Sequence, residues 1–290
     1  MDENDENAAP SGGYAAVKLL VENNESDAED YGSIIDAFNQ DRKSIDRHVT
    51  QEAHEIIESD PELKNRKSTV IYNPRWMKGI VGIVASRLIE TYFRPTVVLT
   101  QSNGFATGSA RSVPGFDLYQ AVESCADLLE NFGGHMYAAG LTMRPENVGE
   151  FTRRFNAYVE ENIDPQMLVP QVDVDAELLF SEITPAFRRE LKRFEPFGPG
   201  NAAPIFATRS VSNRGDAKLV GAECEHLRMD LTQRQKPNTT LQCIAFQQPE
   251  HFEWIRSGRP VDVCYQIVEN HYRGTVSTQL RIKDIKRVEK

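Results

Sequence analysis

Two short β-branched runs, "STVIYN" and "PTVVLT", flank "GIVGIVASRLIETYF", whose apolar residues recur at helical spacing. Strand, helix and strand in that order make a β-α-β unit, which commits this part of the chain to a parallel pairing. "GFATGSAR" predicts a further strand, followed by a helix from Asp117 to about Glu130. The glycine pair with His135, the strand "AAGLTM" and a helix from Pro145 to Asn162 come next, so residues 67–165 read as one α/β domain. Upstream, no proline occurs from Asp27 to Glu58. Tyr31, Ile35, Phe38, Ile45, Val49 and Ile56 form a narrow stripe there, interrupted by Arg42 and Glu52. The stripe predicts one long helix of ~45 Å at about 1.5 Å per residue. Its seam suits bracing between domains or, in the alternative, a coiled-coil dimer. "DPQMLVPQ" reads as a linker. Beyond it "LQCIAF", "VDVCYQIV" and "STQLRIKDI" alternate as strands, with one helix at about 184–194, which predicts a small barrel or sandwich over residues 170–290.

A net charge of −10 argues at first against nucleic acid. The acidity is local, however. Residues 1–66 carry 17 acidic against 6 basic residues, and the remainder is near neutral, so local clusters decide what the surface attracts. No apolar run approaches the roughly 18–20 residues that span a bilayer. The acidic opening "MDENDENAAP" is neither a secretory nor a mitochondrial leader. Cys125, Cys224, Cys243 and Cys264 show no CxxC pairing and no histidine at ligand spacing. These features predict a cytoplasmic chain with reduced thiols, no membrane association and no structural zinc.

Chemistry concentrates in a few stretches. In "GSARSVPGFDLYQAV" (108–122), Gly108 permits close backbone approach, Ser109 and Ser112 offer hydroxyl donors, and Arg111 offers a planar fork that matches phosphate oxygens. The same residues would also make a surface turn with a solvated arginine. In "FGGHMYAAG", Gly133 and Gly134 either end the preceding helix or let the backbone approach a phosphate. In the second case His135 donates a hydrogen bond or shuttles a proton. "YNPRWMKG" sets Arg75, Trp76 and Lys78 before a helix, where Trp76 either stacks on a base or anchors packing. The glycines there match neither a Rossmann nor a Walker pattern. "RFEPFGPGNAAPIFA" reads as an ordered turn entering a strand. In the tail, His271, Tyr272, Arg273 and Arg281 give either a barrel face that follows a single strand or ordinary solvated alternation. No DHH run and no group of carboxylates suited to a two-metal site is present, so no metal ligand is assigned.

Taken in order, "AAVKLLVE" with the long helix, "GIVGIVASRL", "RPTVVLT", "GSARSVPGFDLYQAV", "FGGHMYAAGLT", "PFGPGNAAPIFA" and the "HLRMDL" to "RIKDI" tail resemble the C-terminal portion of the RecJ family. These are single-strand-specific 5′→3′ DNA exonucleases of the DHH phosphoesterase superfamily. The resemblance covers the chain from about residue 14. It implies an acidic segment and connecting helix over 1–66, an α/β DHH-associated domain with a mixed sheet over 67–165, and an OB-fold-like barrel over 170–290. It implies that Ser109 and Arg111, with Ser112, hold a 5′-phosphate, and that Gly133, Gly134 and His135 face the scissile phosphate, His135 in the catalytic role. Trp76, Tyr272, Arg273 and Arg281 are the further substrate-binding residues. The family's DHH domain, which carries Mn²⁺ or Mg²⁺, has no counterpart here, and "NAAPSGG" reads as a remnant of its boundary. The chain alone is accordingly expected to bind no cofactor and to bind single-stranded DNA without cutting it. The implied partners are single-stranded DNA with a 5′ end, the DHH domain and a single-strand-binding protein. The implied setting is DNA recombination and repair. A non-catalytic DNA-binding scaffold and a phosphodiesterase of oligonucleotides or cyclic dinucleotides are the alternatives.

Overall fold

Asn24 and Asp60 bracket the longest element by capping. The Asn24 side chain accepts a hydrogen bond from the Ser26 N–H at 3.0 Å, and Asp60 accepts from the N–H groups of Glu62 and Leu63 at 2.9 and 3.1 Å. Between them, after α1 (Gly12–Val21), runs α2 (Glu25–Ser59), and α3 (Pro61–Asn65) follows. The computed structural model describes residues 12–233, 236–272 and 274–288; most of "NAAPSGG" and Arg273 lie outside them. The chain forms two compact units, Met1–Pro170 and Gln171–Lys290.

α2 has 35 residues, about 52 Å at 1.5 Å per residue. Its buried side chains are Asp46, Val49, Ala53 and Ile57. The expected stripe is therefore corrected in its second half. Steps of four from Val49 keep Ala53 and Ile57 on one straight row, while Ile56 turns outward at 36% exposure. This row packs within the chain on α4 (Val81–Tyr92), together with Trp76, Ile80, Val84, Ala85 and Leu88.

The first sheet has the order β1-β2-β3-β5-β4. β1 (Thr69–Tyr72) and β2 (Thr96–Ser102) pair in parallel across α4, as the β-α-β pattern predicts. β3 (Phe105–Arg111), β4 (Leu129–His135) and β5 (Ala138–Met143) add antiparallel. Asn103 and Gly104, both at positive φ, close the β2–β3 hairpin. One face buries Val97, Leu99, Ala110, Leu141 and Met143 against α5 (Leu118–Glu123) and α6 (Val148–Asn162), whose Phe151, Phe155 and Val159 are fully buried. The helix expected over 117–130 stops at Glu123, and residues from Leu129 onward are strand. "LENFGGH" has no β-branched residue, so pairing with β5 overrides its weak local preference.

In the second unit β6 (Ala176–Glu177), α7 (Pro185–Lys192), β7 (Phe206–Asn213), β8 (Lys218–Val220) and β9 (His226–Gln233) precede β10 (Lys236–Ala245). α8 (Phe252–Arg256), β11 (Val261–Tyr272) and β12 (Thr275–Arg287) complete it. The strand order is β6-β7-β11-β12-β10-β9-β8, and an additional β7–β9 pairing joins β7, β9, β10, β12 and β11 in a ring. Within that ring only β10–β12 is parallel, the arrangement of an OB-type fold. β9 shows the clean alternation behind it, with Leu227, Met229 and Leu231 inward beside Phe180, Tyr265 and Leu280. The four cysteines are free thiols. No helix among the described residues is long and apolar enough to cross a membrane.

Candidate nucleic-acid interface

Strand pleating sends alternate residues to opposite faces, and cross-strand partners share a face. Ser109 and Arg111 therefore project together from β3. The register pairs Ser109 with Gly140 and Gly140 with Gly133; it pairs Arg111 with Ala138 and Ala138 with His135. Two adjacent rows, Ser109–Gly140–Gly133 and Arg111–Ala138–His135, thus lie on one face of the sheet. Arg111 and His135 stand two strand spacings apart, roughly 10 Å. The floor between them is glycine and alanine.

The first turn of α4 borders the same place. A β-carbon on Gly82 would stand 3.1 Å from Arg111 Nη2 and 3.2 Å from Ser109 Oγ. Ile80 supplies no side-chain cap to that helix end. Arg111 donates through Nη1 to the carbonyl of Ala110 at 2.9 Å, and among the described residues no carboxylate pairs with it. His135 is exposed, and its Nδ1 accepts the Tyr137 N–H at 3.2 Å. That role places the proton of the neutral ring on Nε2, which is then a donor. A guanidinium, a hydroxyl and an imidazole N–H over an uncrowded floor are suited to the oxygens of a phosphate.

Several expected ligands serve the fold instead. Trp76 is 5% exposed, packed between α2 and α4, and its indole N–H donates to Glu52 Oε2 at 2.7 Å. It anchors packing and is not placed to stack on a base. The Ser112 hydroxyl donates within its own turn, 2.8 Å from the Phe116 carbonyl, so its proton is committed there. Gly134 lies inside β4 at φ 155°, and a β-carbon there would sit 2.2 Å from the Ala138 carbonyl oxygen. It ends no helix; its need is strand contact. Gly108 is similar, since a β-carbon added to it would fall 2.1 Å from Val98 O. Arg75 and Lys78 are exposed beside Trp76.

On the second unit the register lines up Arg228, Ile244, Arg281 and Gln266 across β9, β10, β12 and β11, on the outward face. Phe246 follows β10 directly and is 47% exposed. The His226 ring meets it edge-on at 4.9 Å, and the Arg281 guanidinium lies 5.8 Å from its centroid. His226 Nδ1 accepts the Gln247 N–H at 3.2 Å, which fixes the ring. In the neighbouring row, burial first and then a hydrogen bond from Asp216 raise the Asp230 carboxyl above its ordinary pKa. His271 is exposed toward the β11–β12 turn; Arg273 and the Tyr272 side chain lie outside the described residues.

Residues 65–161 match the DHHA1 domain, and residues 174–284 match the RecJ OB domain. The single-stranded-DNA-specific exonuclease RecJ of Bacillus subtilis (strain 168) is 31% identical over 272 residues, 93% of this chain and 34% of that protein. Its counterpart in Salmonella typhimurium (strain LT2) is 32% identical over 280 residues, 93% of this chain and 47% of that protein. The crystal structure of RecJ in complex with Mn²⁺ from Thermus thermophilus superposes with a TM-score of 0.73 at 26% identity, over 95% of this chain and 39% of that one. The chain belongs to the RecJ family.

It spans about a third to a half of the length of the RecJ proteins it matches. The Thermus RecJ structures contain Mg²⁺ or Mn²⁺. Among the described residues here, no group of three or more His, Cys, Asp or Glu is placed to hold a metal ion, so these residues do not fit a two-metal centre. The RecJ resemblance pointed to the tail hairpin and missed Arg228, Phe246, His226 and Gln266. The only sequence signal for them was the alternation of "HLRMDL" and "LQCIAF", which marks an outward face without saying which strands adjoin.

Proposed function

We propose that this chain is the substrate-holding part of a RecJ-type, single-stranded-DNA-specific 5′→3′ exonuclease acting in recombination and repair. The α/β unit anchors the 5′-terminal phosphate. Arg111 and Ser109 bind its oxygens by charge-assisted hydrogen bonds, with the glycine floor of Gly133 and Gly140 admitting the nucleotide. His135 donates its Nε2 proton to a phosphate oxygen and so stabilises charge on the group to be attacked. The OB-type unit follows the strand through backbone and stacking contacts, with Arg281 and the Tyr272–Arg273 turn assigned to it. Bond cleavage uses Mg²⁺ or Mn²⁺ held by a DHH domain acting with this chain, so the chain by itself binds and does not cut.

The observation that supports this reading most directly is the joint placement of Ser109, Arg111, Gly133 and His135 on one sheet face, with Arg111 unpaired by any described carboxylate. The test is a titration against labelled single strands bearing a 5′-phosphate or a 5′-hydroxyl at two salt concentrations. The expected result is a preference for the phosphate that Arg111→Ala abolishes. Equal binding of both ends would overturn the anchor. Metal-dependent digestion by the purified chain would overturn the division of labour.

A further inference from the structure

Cations on the second unit fall into two groups. Lys192, Arg193, Arg209 and Arg256 each pair with a carboxylate, namely Glu269, Glu190, Glu177 and Glu253. Arg228 and Arg281, in one row of the outward face, have no carboxylate partner among the described residues. Arg281 lies against the Phe246 ring on one side and lines a groove of about 300 Å³ on the other. Phe197, Ala203, Pro204, Gln266 and Val268 also line that groove. Gln266 Nε2 donates to the Ala203 carbonyl at 3.1 Å, leaving Oε1 as an acceptor. The guanidinium of Arg188 is held on Thr278 at the groove's edge. An exposed phenylalanine alone is unremarkable. Here it is oriented by a fixed histidine, flanked by an unpaired guanidinium, and followed by a flat slot with apolar walls.

Resting on the reading of the chain as a single-strand binder, we infer that Phe246 is a stacking platform for an unpaired base and that the Phe197–Pro204 groove takes a second base of the same strand. Arg281 stands between them and binds the intervening backbone phosphate; Arg228 binds a phosphate on the far side of the platform. The occupant is single-stranded nucleic acid because the site joins π-faces to unpaired guanidinium groups, which is the chemistry of base and backbone together. The strand therefore crosses the middle of the face over β10, β12 and β11, and the β11–β12 turn is peripheral to it.

The test measures binding of the full chain to a 3′-labelled, 5′-phosphorylated oligothymidine across a salt series. Phe246→Ala is expected to weaken binding about 5- to 100-fold, the equivalent of about 1–3 kcal/mol per stacked base, with the salt slope unchanged. Arg281→Ala is expected to reduce the slope by about 0.7, one phosphate contact on a single strand. Phe246→Trp is expected to retain affinity and to add a fluorescence quench on binding, and it serves equally if the alanine variant folds poorly. Phe197→Ala is expected to weaken binding several-fold, and His271→Ala to leave it unchanged. Wild-type binding with a 5′-phosphate preference, but no loss in Phe246→Ala and no quench in Phe246→Trp, would overturn the platform while leaving the anchor intact. A wild-type chain that binds no single strand would overturn both readings.

Discussion

The two candidate surfaces are built in opposite ways. The α/β surface draws its polar groups from two short stretches, 109–111 and 133–135, which antiparallel pairing brings into adjacent rows through β5. The OB-type surface draws Arg228, Phe246, Gln266 and Arg281 from separate strands or their ends, each contributing one side chain. The first depends on backbones approaching closely, so it is intolerant of small additions. The second depends on long side chains projecting from a finished barrel, so it can change without disturbing the fold. What separates them is where the constraint sits, in the main chain or beyond it.

The sharpest way to break that contrast is at Gly108, where an added β-carbon would meet Val98 O at 2.1 Å and Leu99 Cδ2 at 2.8 Å. Gly108→Ala is expected to lose more than about 3 kcal/mol of unfolding free energy in urea, whereas Arg228→Ala should stay within about 0.5 kcal/mol. Equal losses would erase the distinction. Next in size, Trp76→Phe keeps most of the buried ring but leaves Glu52 without its indole donor, an expected loss of about 1.5–3 kcal/mol by the same assay. Gly82→Ala sharpens the comparison further. Its β-carbon falls 3.1 Å from Arg111 Nη2, so the guanidinium must shift. The expected effect is a several-fold loss of 5′-phosphate preference with unfolding unchanged; unaltered preference would show that α4 does not bound the anchor.

The smallest effect is one of pH. Burial, and after it the hydrogen bond to Glu58, raise the Tyr92 hydroxyl to about 12. Because the folded value exceeds the unfolded one near 10, the contribution is complete below pH 10 and is lost as pH rises from 10 to 12. Tyr92→Phe should flatten that part of the stability profile of the α/β unit and leave the neutral-pH binding of single strands alone. A profile identical to wild type would show that another group sets the alkaline limit.

Much of the first surface was legible because its determinants are local. The β-α-β periodicity places α4 between paired strands, and "GSAR" with "GGH" names the side chains before any contact is known. β4 was not legible, since nothing in "LENFGGH" favours a strand until β5 supplies the partner. Trp76 was ambiguous for a different reason. An indole before a helix looks the same in sequence whether it faces a base or Glu52, and only the turn of α2 decides. The Arg228–Arg281 row could not be read at all, because a parallel β10–β12 pairing joins segments about forty residues apart, and no local pattern encodes it.

α2 can also be regarded mechanically. Its second half is bolted down: the carboxylate of Asp46 grips Arg87 at 2.7 Å, Glu52 grips Trp76, and Val49, Ala53 and Ile57 bed into α4. Before Asp46 none of its side chains is buried, leaving an arm of roughly 30 Å for about twenty residues. Such a helix is a lever with its fulcrum on α4, and the first turn of α4 is what borders Ser109 and Arg111. Load applied to the long arm is delivered to the phosphate anchor, so a body held at the start of α2 adjusts the grip on a 5′ end without touching it.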